Sequence, residues 1–127
     1  MIARPLALLV ARLLFAQLFL LGSVQKWLDP HTVEQLLAGK AWPEWLVWPA
    51  LVFNLIAGII LVLGIWTRPV AGLLAAYCVV TSLFHFIPGD GWQMSIFVKN
   101  WAIAGGCLAL AAAGPGRWAL RPDQPSK

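Results

Sequence analysis

The sequence predicts an all-α membrane protein: an antiparallel four-helix transmembrane bundle with a short interfacial helix between its first two spans. Three observations carry this expectation. Of 127 residues, 61% are hydrophobic and only 11% are charged, and mean hydropathy is +0.79, whereas a soluble domain carries about 25% charged residues. The apolar residues gather into four runs, each near the roughly 20 residues that a helix needs to cross a hydrocarbon core of about 30 Å. None of these runs alternates as a strand would, and a backbone in lipid must satisfy its own hydrogen bonds, so each reads as a helix.

The first span covers residues 5–25. It is longer than the apolar core of a signal peptide and is interrupted by Arg12, so it reads as a retained helix and not a cleaved leader. After it, Asp29 stands in an N-cap position, Pro30 at the first helical position, Val33, Leu36 and Leu37 on one face, and Gly39 where a helix would stop. This segment is expected to lie in the membrane interface. The remaining spans are placed at 45–64, 69–87 and 94–113. Turns are marked by Ile65, Trp66, Thr67, Arg68 and Pro69, and by Pro88, Gly89, Asp90 and Gly91. Beyond Gly114, Pro115 and Gly116 comes a polar tail, 114–127, expected to lose order past Pro122. These elements account for the 127 residues as a single transmembrane domain.

The net charge of +4 raises the question of nucleic-acid binding, but the basic residues are scattered singly and build no basic face. They carry topology instead. Arg4, Arg68, Arg117, Arg121 and Lys127 belong to one side, and Lys26 and Lys40 to the other, together with Asp29, Glu34, Glu44 and Asp90. This bias places both termini in the cytoplasm. Trp27, Trp42, Trp45, Trp48 and Trp92 then mark the outer boundary, and Trp66 and Trp118 the inner one, where amphipathic rings settle.

Polar residues kept inside spans are informative, because a charge at the bilayer centre costs about 2.5–3.5 kcal/mol even on the lenient insertion scale. Arg12 shares a helical face with Phe19, Ser23 and Lys26, and Asn54 lies one turn from Gly58. Cys78, Thr81, Ser82 and His85 follow the i, i+3, i+4, i+7 spacing of one stripe. The last span offers Lys99 and Asn100, with Cys107 on the Asn100 side and Gly105 and Gly106 deeper. Since polar atoms avoid lipid, the stripes are expected to converge on a cavity open toward the outer side. Lys26, His85, Lys99 and Asn100 would sit at similar depth, with His85 and Lys99 hydrogen-bonding the polar head of a bound amphiphile and Trp92 or Trp101 packing on its ring. The blander roles are snorkelling for Lys26 and Lys99, reaching the inner phosphates or capping carbonyls of a neighbouring helix for Arg12, an interfacial position for His85, interhelical contacts for Asn54, Thr81 and Ser82, and inert packing for both cysteines. No phosphate-binding loop is present, nor any His and carboxylate cluster with metal-ligand spacing, so no metal site is expected.

Several segments together resemble the DoxX family of small four-helix bacterial membrane proteins. They begin with Ala11, Arg12, Leu13 and Leu14, then Gly22 and Lys26. The run from Gly58 to Gly64, followed by Ile65, Trp66, Thr67 and Arg68, is similar to the family's glycine-bounded apolar run ending in Thr-Arg. His85 closes the third span, Phe97 to Ala102 leads to Gly105 and Gly106, and Gly114, Pro115, Gly116 and Arg117 precede Leu120. The resemblance implies a bacterial inner membrane location and, as in some members, association with quinone-linked sulfur oxidation or thiol-redox assemblies. It also implies polar roles for Arg12, Lys26, Arg68, His85, Lys99 and Asn100. Many members carry a glutamate four residues before the first glycine of that run. Here the residue is Asn54, and an amide cannot exchange a proton.

Three function classes fit this reading. The leading one is a redox-associated subunit that binds a quinone or similar amphiphile, takes electrons from a partner protein and has no redox centre of its own. The second is a non-catalytic scaffold docking partners through the interfacial helix and the basic tail. The third is a small anion transporter or channel guided by Arg12, Lys26 and Lys99. Glycine and alanine faces would also permit a homodimer.

Overall fold

A computed structural model of the chain describes residues 2–121. Among these are five α-helices and no strand: α1 Ala3–Leu28, α2 Pro30–Gly39, α3 Val47–Leu63, α4 Thr67–Ser82 and α5 Gly91–Ala113. A 3-10 turn, Glu44–Leu46, leads into α3, and another, Leu83–His85, extends α4. Four segments are long and apolar enough to cross a membrane: Ala3–Leu28, Glu44–Leu63, Thr67–His85 and Gly91–Ala113. The expected loss of order past Pro122 falls outside the described residues, as does Lys127.

The helices pack as two antiparallel pairs, α1 with α3 and α4 with α5. Lipid offers no hydrophobic drive between helices, so association depends on close van der Waals fit and small residues. The core follows that rule, with Ala16, Ala57, Ala71, Ala75 and Ala104 beside Phe19, Leu61, Leu74, Cys107 and Leu110. Gly58 sets the approach of α3 to α1, since a Cβ there would lie 2.7 Å from Leu20 Cγ and 3.3 Å from the Ala16 carbonyl oxygen. Leu14, Leu21, Ile56, Leu73, Val98 and Leu108 point outward, where acyl chains would cover them.

Each pair is closed by an arginine at the end of the bundle that carries the termini. Arg12 on α1 donates from Nη1 to the carbonyls of Leu61 at 2.9 Å and Val62 at 3.3 Å, and from Nη2 to that of Trp118. Arg68 at the start of α4 donates to the carbonyls of Ala111, at 3.1 Å, Ala112 and Ala113. Both guanidinium groups thus serve the unpaired carbonyls at the C-terminus of the partner helix, where the helix dipole is negative. The tail completes this end, with Leu120 N–H donating to the Leu63 carbonyl at 2.9 Å and Arg121 N–H to that of Gly64 at 3.2 Å.

Between α3 and α4 the chain turns through two left-handed residues, Gly64 with φ +74° and Trp66 with φ +47°. Helix α4 begins at Thr67, ahead of the 69 that the apolar run suggests, because Pro69 falls in its first turn, where no N–H is needed. Helix α5 likewise starts at Gly91, ahead of 94, because Asp90 Oδ1 accepts from the N–H groups of Trp92 and Gln93 at 3.0 and 3.2 Å.

Helix α2 crosses the opposite end. Asp29 stands at its cap position but does not cap the backbone, because its carboxylate accepts from Thr32 Oγ1 at 2.8 Å. Leu37 buries against Val47 and Phe84, with Val33 and Leu36 alongside, forming a small second core. Trp42 meets the Phe84 ring edge-on at 5.0 Å between centroids, and Lys40 Nζ donates to the Phe86 carbonyl at 3.3 Å. These contacts hold α2 as a roof over the bundle.

Candidate functional site: a cavity beneath α2

Side chains from all five helices line a cavity of about 460 Å³ under that roof. Its walls are mainly apolar and aromatic, including Phe19, Phe53, Leu36, Trp42 and Phe84. Its polar groups are Lys26, Asn54, Tyr77, Thr81, His85 and Asn100, and among the described residues no Asp or Glu lines it. Leu18 and Val80 line it too while remaining exposed on the outside of the bundle. Its rim therefore reaches the lipid-facing surface.

Asn54 is its most constrained polar group. Helix α3 holds it at 2% exposure, and its Nδ2 donates to the Tyr77 hydroxyl at 3.3 Å. Its Oδ1 is buried without a hydrogen-bond partner, a situation that costs about 1–3 kcal/mol if nothing fills it. Tyr77 is held by Phe53 and Phe19, whose ring centroids lie 5.3 and 6.4 Å away. Thr81 Oγ1 donates back to the Tyr77 carbonyl at 2.8 Å. His85 Nδ1 lies 2.6 Å from Gln93 Oε1. With that oxygen as acceptor, Nδ1 carries a proton and donates it to Gln93.

The fold gathers four of the expected site residues, Lys26, Asn54, His85 and Asn100, and separates the others. Arg12 is at the far end, buried in the clamp on α3. Lys99 is exposed, with Nζ 5.6 Å from the centroid of the Trp92 ring. Successive helical residues point about 100° apart, so with Asn100 facing the cavity Lys99 faces away. Trp92 and Trp101 are exposed at 70% and 47%, outside the cavity. Of the residues assigned to topology, Arg4, Arg117 and Arg121 are exposed, while Arg68 caps α5.

The polar stripes are also less open than expected. Ser23 and Ser82 are buried and donate to their own helices, to the carbonyls of Leu20 and Val79. Cys78 lines the cavity and Cys107 packs in the core, both as buried free thiols. Sequence reasoning missed Tyr77 and Gln93. Tyr77 stands one turn before Thr81 and is the single tyrosine of the chain. Extending the His85 stripe by one turn would have found it. Among the described residues, no group of three or more His, Cys, Asp or Glu could hold a metal ion.

The DoxX family model matches residues 7–86. The chain belongs to the DoxX family. Inner membrane protein YphA of Escherichia coli K12 is 36% identical over 126 residues, covering 93% of this chain and 90% of YphA. Inner membrane protein YqjF of the same organism is 29% identical over 113 residues, covering 88% and 87%. No solved structure matches the chain. This DoxX protein is an integral membrane protein with a place in the lipid bilayer. Its glycine-bounded run now has a physical reading: Gly58 seats α3 on α1, Gly64 makes the left-handed turn, and Arg68 reaches across to cap α5.

Proposed function

We propose that this DoxX protein binds a small amphiphile with a flat polar head, a quinone or a relative of one, in the cavity beneath α2. The observation that carries this reading is an aromatic-lined space that reaches the lipid-facing surface and has Lys26, Asn54 and His85 in its wall. A concave, mostly apolar site with a few convergent polar groups suits a ligand that is apolar over most of its area. Lys26 and His85 would contact the head, and the tail would leave past Leu18 or Val80. Any electrons exchanged with the ligand would come from a partner protein. The test is binding of a short-tailed benzoquinone analogue to the detergent-solubilised protein. Asn54→Leu and His85→Ala are expected to weaken it about tenfold each, close to 1.4 kcal/mol, while Lys99→Ala leaves it unchanged. Wild-type affinity in both cavity variants would remove the reading.

We also propose that the protein resides in the inner membrane with both termini in the cytoplasm, on the strength of the Lys and Arg bias and the location of YphA and YqjF. A fluorescent protein fused after Lys127 should fluoresce, and alkaline phosphatase at the same point should be inactive. The opposite pair of results would reverse the orientation.

A further inference from the structure

Lys26 does not reach for the end of its helix. It stands in the last turn of α1, where snorkelling would carry its ammonium past Leu28 to the headgroups. The side chain instead points back one turn, toward Gly22. The position that a Cβ would take on Gly22 lies 3.8 Å from Lys26 Nζ and 3.7 Å from Asn54 Nδ2. Among the described residues, no atom from outside α1 other than Asn54 Nδ2 comes within 4 Å of that position. Gly22, Lys26 and Asn54 all line the cavity, so N–H groups from two helices border one open part of its wall.

The charge at this point is one-sided. Among the described residues no Asp or Glu lines the cavity, and none forms an ion pair with Lys26. Asn54 Nδ2 gives one of its two hydrogens to the Tyr77 hydroxyl, which leaves the other for a ligand. An ammonium at membrane depth is costly unless an opposite charge meets it, and the cavity wall supplies none. From this we infer that the head of the amphiphile carries one negative charge, a carboxylate, held over Gly22 between Lys26 and Asn54. Such a group is flat and accepts only, and its two oxygens can take one N–H donor each. The inference rests on the amphiphile-binding reading above and narrows it, from a flat polar head to a ring that bears a carboxylate.

The test uses the full chain in uncharged detergent at neutral pH and two probes of one shape, para-octylbenzoate and para-octylbenzamide, the first charged and the second neutral. Wild-type protein should bind the benzoate about tenfold or more tightly than the benzamide. Lys26→Met keeps the reach of the side chain without its charge, so it should bring the two affinities together and leave the unfolding midpoint in place. Lys26→Arg should retain much of the preference, and Lys99→Ala, on the exterior, all of it. A preference that survives Lys26→Met, or that disappears in Lys99→Ala, would overturn the location. Displacement of the benzoate by an equimolar short-chain phosphatidylglycerol would give the site to a phosphate headgroup and overturn the carboxylate. Equal binding of the two probes by the wild type would overturn the charge assignment alone. Failure of benzoate, benzamide and benzoquinone analogue alike to bind the wild type would overturn the underlying reading.

Discussion

Arg12→Leu is expected to destabilise the protein by about 3–5 kcal/mol, from hydrogen bonds to a charged donor worth about 1.5–3 kcal/mol each and partial relaxation around the gap. The guanidinium is 1% exposed and spans three carbonyls, those of Leu61, Val62 and Trp118. Leucine fills much of the volume but donates nothing, so the end of α3 and the tail would both hold unpaired acceptors next to lipid. The check is reversible unfolding in mixed micelles, with exposed Arg4→Ala as the control, expected within about 0.5 kcal/mol of the wild type. Arg12→Lys should fall between them, because a single ammonium cannot fork toward α3 and the tail together. Equal stability of Arg12→Leu and Arg4→Ala would mean that the clamp contributes nothing.

The second large effect is expected at Gly64. Its φ of +74° is left-handed, a region that costs an L-residue about 1–2 kcal/mol. A Cβ there would also overlap Arg12 Nη1 and Ala119 Cβ, and would approach Ala119 Cα to 3.0 Å. Gly64→Ala therefore strains the turn and pushes the guanidinium from its carbonyls, for a total of about 2–4 kcal/mol. The two sites share one contact, so their effects should not add. With Arg12→Leu in place, Gly64→Ala should cost less than it does alone. Full additivity in a double-mutant cycle would show that the overlap with Arg12 has no energetic consequence. Neither variant should change ligand affinity in the folded fraction, because Arg12 lies about 15 Å along α1 from Gly22.

Arg12 shows how far a sequence can be read. A lone charge in an apolar segment announces that it must have partners, since lipid offers none. It does not say whether those partners are a ligand or the backbone of another helix. Arg12 sits on the same face of α1 as Lys26, and periodicity alone placed both on one cavity. Depth separated them: antiparallel packing lays Arg12 beside the last turn of α3, while Lys26 lies under α2 near Asn54. Lys99 and Asn100 pose the converse case. They are adjacent in the chain and equally polar, and rotation about α5 sends one to the exterior and the other to the cavity.

Composition and apolar run length were sufficient for the membrane class and the four spans, because those properties follow from the solvent that each segment must enter. They also made it certain that some polar groups would have to find one another. The choice of partners came only with assembly. Whether a polar atom meets a carbonyl, a ring or an empty space depends on the depth and rotation of helices far apart in the chain. Those are set by contacts such as Gly58 on Leu20 and Gly64 on Arg12. The cavity beneath α2 has five helices in its wall, and no local stretch of residues encodes it.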